Sequence, residues 1–344
     1  MQVAEFDFPF DPRLVASEPV LPRDQAKLLV LPASHRSSHS MMHHRVADLP
    51  HLLAPGDLIV VNDTKVMPVR LTGRKQPTGN AVDILFVREV AEGLWEVLIK
   101  GRLRPGQRID LGVDGVLEVQ SRDRVRTVVR LDCAMSPREF FARWGMMPLP
   151  PYIDRAPGDM DREWYQTVFA QEEGAIAAPT AGLHFTPELL TRLNQAGIGV
   201  ARVTLHVGIG TFKPITTDHV EDHRMGSEWF EVGAETVQAI AHTKEKGGRI
   251  VAVGTTVVRA LETAAARQGA LGPQRGETSL FITPGFSFQV VDALMTNFHL
   301  PKTTLLMLVS AFAGTSLLRQ AYEEAVRERY RFYSYGDAML ILKS

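Results

Sequence analysis

The chain has a single cysteine, Cys133, among its 344 residues. One thiol closes no internal disulfide and builds no cysteine-rich zinc site, and it fits a reducing compartment. Long apolar runs are also missing. The longest, residues 303–314, is about a dozen residues, which suits a buried helix and falls short of a bilayer span. The opening residues carry Glu5, Asp7 and Pro9 and no basic stretch, so no signal peptide is expected there. These absences together predict a cytoplasmic protein without a membrane partner. Net charge is nearly absent as well: 38 Lys+Arg stand against 39 Asp+Glu, a formal −1. As an average, that balance argues against a nucleic-acid binder, because phosphate binding needs positive charge somewhere.

Several catalytic fingerprints are lacking too. Gly208-Ile209-Gly210 begins like a dinucleotide loop, but Lys213 stands where the third glycine belongs. There is no P-loop and no G-x-S-x-G elbow. His39, His43 and His44, and the pair His219 and His223 with Glu228 nearby, hint at metal. The second group sits among Asp218, Glu221 and Asp222 without an apolar helical face. A hydrated loop is the better reading at both places, and no metal is expected.

What is present is a chain in three parts. Residues 1 to about 63 end in the buried-strand signal Leu58-Ile59-Val60-Val61, followed by Asn62-Asp63-Thr64-Lys65. Residues 66–132 show short strand signals, such as 81–87, 94–99 and 126–131. The turn Arg104-Pro105-Gly106-Gln107 and the hairpin signal Asp114-Gly115 punctuate them. No helical period occurs there, so a small β-barrel or folded sheet is predicted. From Ser136 onward helix and strand signals alternate. Ser136-Pro137-Arg138-Glu139 is a capping box, Thr186-Pro187 opens a helix, and a strand at 249–253 runs through Gly254-Thr255-Thr256 into another helix. Such alternation predicts an α/β fold with a mainly parallel sheet covered by helices. The expected division is an α/β domain, 1–65 with 133–344, whose first strand is near Leu58, interrupted by a β-barrel-like domain at 66–132.

Division by region changes the charge argument. Residues 65–132 hold 13 Lys+Arg against 9 Asp+Glu, so the remainder holds 25 against 30. The basic residues gather at Lys100, Arg102, Arg104 and Arg108, and at Arg122, Arg124 and Arg126, whose alternation would put the last three on one face of a strand. This face could meet a phosphate backbone, or it could be a solvated sheet edge.

Chemistry-bearing candidates lie in segments where small residues surround a few polar ones. Ala177 to Phe185 contains Pro179, Thr180 and His184, and Leu205 to Phe212 contains His206. Small residues let a ligand approach the backbone, and histidine works near neutral pH. Each lone histidine is equally well a hydrogen-bonded core residue. Gly254-Thr255-Thr256 at a helix start, with Arg259 one turn on, could hold an anion, or could be ordinary threonine capping. Residues 296–301 break before the apolar helix. Residues 330–337 gather aromatics and polar groups, which could stack bases or anchor the chain end.

These segments, together with Val61 to Val66, Pro150-Pro151-Tyr152-Ile153, Tyr165-Gln166-Thr167-Val168, Gly254 to Glu262 and Tyr330 to Met339, resemble the S-adenosylmethionine:tRNA ribosyltransferase-isomerase family of queuosine biosynthesis. They run nearly end to end and in the family's order. Two departures stand out: Gly226 where a second histidine would follow His223-Arg224-Met225, and Asn80 where a turn glycine is expected. The resemblance implies an α/β domain with an inserted barrel and a transferase that uses S-adenosylmethionine as co-substrate, with no permanently bound cofactor. The ribosyl part would be transferred and isomerised onto 7-aminomethyl-7-deazaguanine at the tRNA wobble position, giving epoxyqueuosine-tRNA, adenine and methionine. A tRNA methyltransferase is the alternative. In motif context, His184 or His206 is the expected general base or acid, with Asp63 and Glu262 as polar partners. Pro179, Thr180, Gly254, Thr255, Thr256 and Arg259 would bind S-adenosylmethionine. Lys100, Arg102, Arg104, Arg108, Tyr335 and Asp337 would contact tRNA. A monomer is the default.

Overall fold

The computed structural model describes residues 1–32, 41–112, 115–123, 126–208, 210 and 214–343. Two compact units divide the chain. One comprises 1–65, 150–155 and 164–344, and the other 66–149 with 156–163.

The larger unit is built on a nine-stranded sheet with helices. Its strand order is Gln274–Thr278, Glu228–Val232, Gly199–Leu205, Leu58–Asn62, Ile250–Val253, Ala293–Asn297, Ala338–Leu342, Lys27–Leu31 and Met42–Arg45. The four strands from 199–205 to 293–297 run parallel to one another. Toward both edges antiparallel neighbours enter, so the sheet as a whole is mixed, with the parallel run confined largely to its centre. The central strands have no exposed residue from Leu58 to Asn62 or from Ile250 to Val253. Continuous apolar runs of this kind are what a sheet covered on both faces requires. The first strand is Lys27–Leu31, not the one at Leu58. Its short apolar run Leu28 to Leu31 is fully buried between 338–342 and 42–45, and carries no period that separates it from other buried segments.

Helix boundaries follow their caps. Thr186 Oγ1 accepts from Leu189 N at the start of Pro187–Gln195, and Thr303 Oγ1 does the same from Leu306 N ahead of Thr304–Ala313. The latter helix is the dozen-residue apolar run, and nearly all of it is buried. No single helix among the described residues is long and apolar enough to cross a membrane.

The smaller unit contains a closed barrel of six strands in the order Thr127–Cys133, Leu94–Ile99, Ala81–Ala91, Arg70–Lys75, Arg108–Asp110 and Gly115–Arg122. Every pairing is antiparallel. Ile84, Phe86, Ile109, Leu117, Val119 and Val129 fill it at zero exposure, alternating with outward residues. Helix Pro137–Trp144 belongs to this unit, with the Phe141 ring 4.7 Å from Phe86 and 5.2 Å from Trp95. The unit therefore reaches beyond residue 132, because the capped helix covers barrel aromatics. Arg122 and Arg126 do not share a strand face. Arg122 ends one strand, Thr127 opens the next opposite it, and Asp123 N donates to Arg126 O. Arg126 pairs with Glu96 at 3.1 Å. Arg124, Asp114 and His39 lie outside the described residues.

Candidate active site at the strand ends

The carboxyl ends of the central parallel strands are where an open α/β sheet offers a crevice. Strand 250–253 leads into Gly254, whose φ of +94° is open to glycine and costly to other residues. Helix Thr255–Gln268 starts directly there. A narrow cleft there is lined by Gly254, Thr255, Thr256, Pro179, Thr180 and Thr296, among others. Five residues expected to hold the co-substrate thus meet in one place. A second, narrow cleft is lined by Tyr152, Asn297, Tyr333 and Ser334 and shares the walls Thr180, His299 and Leu305 with the first.

Asn62 connects the strand ends to this helix start. Its Oδ1 accepts from Thr64 N and Leu205 N at 3.1 Å each, and its Nδ2 donates to Leu205 O at 2.9 Å and to Thr256 Oγ1 at 3.2 Å. Thr256 Oγ1 receives a hydrogen there, so its own hydrogen remains for an acceptor in the cleft. With the free N–H groups of the first helical turn, the wall is suited to an anion such as a carboxylate.

His206 follows strand 199–205. Its Nδ1 lies 2.8 Å from Thr64 Oγ1, and Thr64 Oγ1 in turn donates to Glu172 O at 3.5 Å. With the threonine proton on the Glu172 carbonyl, which only accepts, His206 Nδ1–H would donate to the threonine oxygen. Nε2 then carries the lone pair. Trp229 stacks on the ring at 5.0 Å and 20°. Burial lowers the His206 pKa, against the opposing pull of the Glu172 carboxylate, so the ring is neutral at pH 7. Neighbouring Asp63 is buried, accepts from Thr204 Oγ1 at 2.7 Å, and has its pKa raised by burial and by the Glu172 charge.

His184 is different. It ends the buried turn Thr180–His184, and Asn297 Nδ2 donates to its Nε2 at 3.1 Å. Burial, with Arg331 and Arg23 nearby, pushes its pKa down to about 3. Its basic lone pair is already engaged, so of the two histidines only His206 presents a free one.

Four further expectations meet a different geometry. The Arg259 guanidinium is buried against Glu228 and the carbonyls of Leu280 and Thr278, while Glu228 Oε1 accepts from Gly208 N at 2.8 Å. It holds the 208 turn and does not line the cleft. Glu262 has zero exposure and accepts from Gln289 N, Val290 N and Val291 N at 2.8–3.1 Å, a main-chain clamp in place of a catalytic carboxylate. Asp337, buried, accepts from Lys27 N and Arg331 N, and Tyr335 is packed edge-on to Tyr165 at 6.0 Å. Both are 2% exposed, too deep to present a face to tRNA. Sequence reading missed Thr64, Gly174 and Trp229 around His206, and gave Asn297 no role of its own. Only Thr64 and Asn297 sit inside segments it had singled out.

On the barrel, Lys100, Arg102, Arg104 and Arg108 are all exposed, and no ion pair joins any of them to an acidic group among the described residues. Lys75, on the next strand, donates to Arg102 O at 3.0 Å and adds charge to this end. Arg74, exposed, stands beside it. No three His, Cys, Asp or Glu side chains among the described residues converge as metal ligands.

Comparison with known proteins gives a consistent result along the whole chain. The family described as "Queuosine biosynthesis protein" matches residues 3–341. An S-adenosylmethionine:tRNA ribosyltransferase-isomerase of Halothermothrix orenii is 47% identical, with 99% of this chain and 100% of the relative covered. One from Acidiphilium cryptum is 49% identical, with 99% of each covered. The crystal structure of S-adenosylmethionine tRNA ribosyltransferase from Thermotoga maritima aligns with a TM-score of 0.56 at 38% identity, over 98% of this chain and 100% of that one.

Proposed function

The chain belongs to the queuosine biosynthesis protein family, and from that premise we propose that it is an S-adenosylmethionine:tRNA ribosyltransferase-isomerase. It transfers and isomerises the ribosyl part of S-adenosylmethionine onto 7-aminomethyl-7-deazaguanine at the tRNA wobble position. Epoxyqueuosine-tRNA, adenine and methionine are its products. The observation that carries this reading is identity near one half over essentially the full length of relatives so named.

The geometry supports a division of labour. The methionine carboxylate rests on the helix start at Gly254, Thr255 and Thr256, and Pro179 and Thr180 line the nucleoside. The sulfonium acidifies the adjacent carbon, so a base of modest strength suffices. His206 is that base, neutral and with Nε2 free. Glu172 supplies negative charge beside it, favouring a cationic sulfonium and the imidazolium that forms. The uncharged amine of the modified base is the nucleophile, and adenine departs more readily when a ring nitrogen is hydrogen-bonded. Arg259, Glu262 and His184 act by position. Lys100, Arg102, Arg104 and Arg108, joined by Arg74 and Lys75, hold tRNA phosphate. The enzyme works in the cytoplasm as a monomer.

Chromatography of the small products after incubation with S-adenosylmethionine and tRNA bearing the aminomethyl base tests the reading. Adenine and methionine are expected; S-adenosylhomocysteine would identify a methyltransferase instead.

A further inference from the structure

Two buried polar groups in the second cleft have no hydrogen-bond partner among the described residues: Asn297 Oδ1 and Tyr333 OH. Asn297 is 1% exposed and Tyr333 5%. The amide orientation is not free. Asn297 Nδ2 lies 3.0 Å from Tyr333 O and 3.1 Å from His184 Nε2. A carbonyl oxygen only accepts, so nitrogen must face it, and Oδ1 is left turned away from both. A buried acceptor without a donor is costly, which marks it as a place where a ligand completes the structure.

Tyr333 is held deliberately. Its φ is +72°, a conformation that a non-glycine residue keeps only when its surroundings enforce it. Tyr333 N donates to Phe298 O at 3.1 Å, while its carbonyl receives Gly336 N at 3.0 Å as well as Asn297. The Tyr152 ring lies 4.8 Å away, but Tyr152 OH is engaged with Ser334 Oγ at 2.6 Å and leaves the Tyr333 hydroxyl unmatched.

An acceptor and a hydroxyl, carried by two residues that line a narrow cleft with aromatic walls, complement a flat ring that offers an N–H beside a ring-nitrogen lone pair. An aminopurine has that edge. The adjoining cleft carries the anion-binding helix start, so one molecule can place a carboxylate in the first and a purine in the second. We propose that Asn297 Oδ1 and Tyr333 OH read the adenine of S-adenosylmethionine, Oδ1 accepting from the exocyclic amine and the hydroxyl donating to a ring nitrogen. His184 is a positioning residue that fixes the Asn297 amide. The inference rests on the function proposed above and assigns the leaving-group end of that site.

The test is inhibition of the full-length enzyme by free adenine, by unsubstituted purine and by N6,N6-dimethyladenine, which lacks the N–H. Adenine should bind roughly ten- to a hundredfold more tightly than the other two, the loss expected when a buried acceptor goes unpaired. Asn297→Ala should collapse that gap to less than about threefold, and Tyr333→Phe should weaken adenine while leaving the gap in place. Equal binding of all three bases to the wild type overturns the assignment, as does a full gap in Asn297→Ala. If Asn297→Ala does not fold, the wild-type series and Tyr333→Phe decide. Release of adenine and methionine in the same assay reports the underlying reaction separately, so intact turnover without discrimination overturns the subsite alone.

Discussion

At the scale of single residues, Gly174 controls the candidate base more tightly than any polar neighbour. A Cβ there would lie 2.7 Å from Cδ2 and Nε2 of His206 and 2.8 Å from Cε1. Nearly equal distances to three ring atoms place it over the ring face, and Trp229 is also stacked on the ring. Gly174→Ala must therefore displace the imidazole. Misplacement of a reacting group costs up to about a hundredfold. We expect single-turnover rates with Gly174→Ala to fall roughly tenfold or more at unchanged S-adenosylmethionine affinity; a wild-type rate would exclude His206 as the base. The wild-type rate should also have an acid limb set by His206. Its pKa lies below the ordinary 6.5, so the rate is full near neutrality and declines as pH falls through that lowered value. Glu262 is the contrasting case. Glu262→Gln replaces an acceptor of three main-chain N–H groups, so denaturant titration should show a loss of roughly 1–3 kcal/mol, while the folded fraction turns over normally.

At the scale of elements, the readable features were those with local physical causes. Ser136 and Thr186 cap helices through their own side chains, and alternation along 81–87 places barrel residues in and out. Less local features were not readable. Lys27–Leu31 is inserted between a strand from the chain's far end, 338–342, and the nearby strand 42–45, and Arg122 ends one strand while Thr127 opens the next, so alternation there does not mean a shared face. The 100–108 loop remains the basic element best placed for phosphate. Replacing Lys100, Arg102 and Arg104 together by Glu should weaken tRNA binding and flatten the log–log salt dependence by about 0.7 to 0.9 per lost contact. Filter binding across a salt series checks this; an unchanged slope would move the tRNA surface elsewhere.

At the scale of the whole molecule, two buried histidines tie stability to pH. Burial holds both His184 and His299 at about 3, well below the 6.5 of an unfolded chain. Between those values the unfolded state binds the proton and the folded state does not, so stability is full above 6.5 and declines as pH falls toward 3. The slope is at most about 1.4 kcal/mol per pH unit for each histidine. Urea midpoints should therefore drop from pH 7 to pH 5, and His299→Gln should flatten the curve. The near-zero net charge conceals a similar division, between a basic barrel region and an acidic remainder. Much of the cleft at 179–180 and 254–256 was legible because small residues and a helix start share a segment. The roles of Arg259, Glu262 and Asp337 were not, because each depends on a partner from 27 to 310 residues away. The central claim is that the ribosyl part of the co-substrate, and not its methyl group, ends on tRNA. The most direct measurement uses S-adenosylmethionine radiolabelled separately in the ribose and in the methyl group, followed by counting of the purified tRNA. The ribose label should enter the tRNA and the methyl label should not; methyl label in the tRNA with none from the ribose would contradict the account.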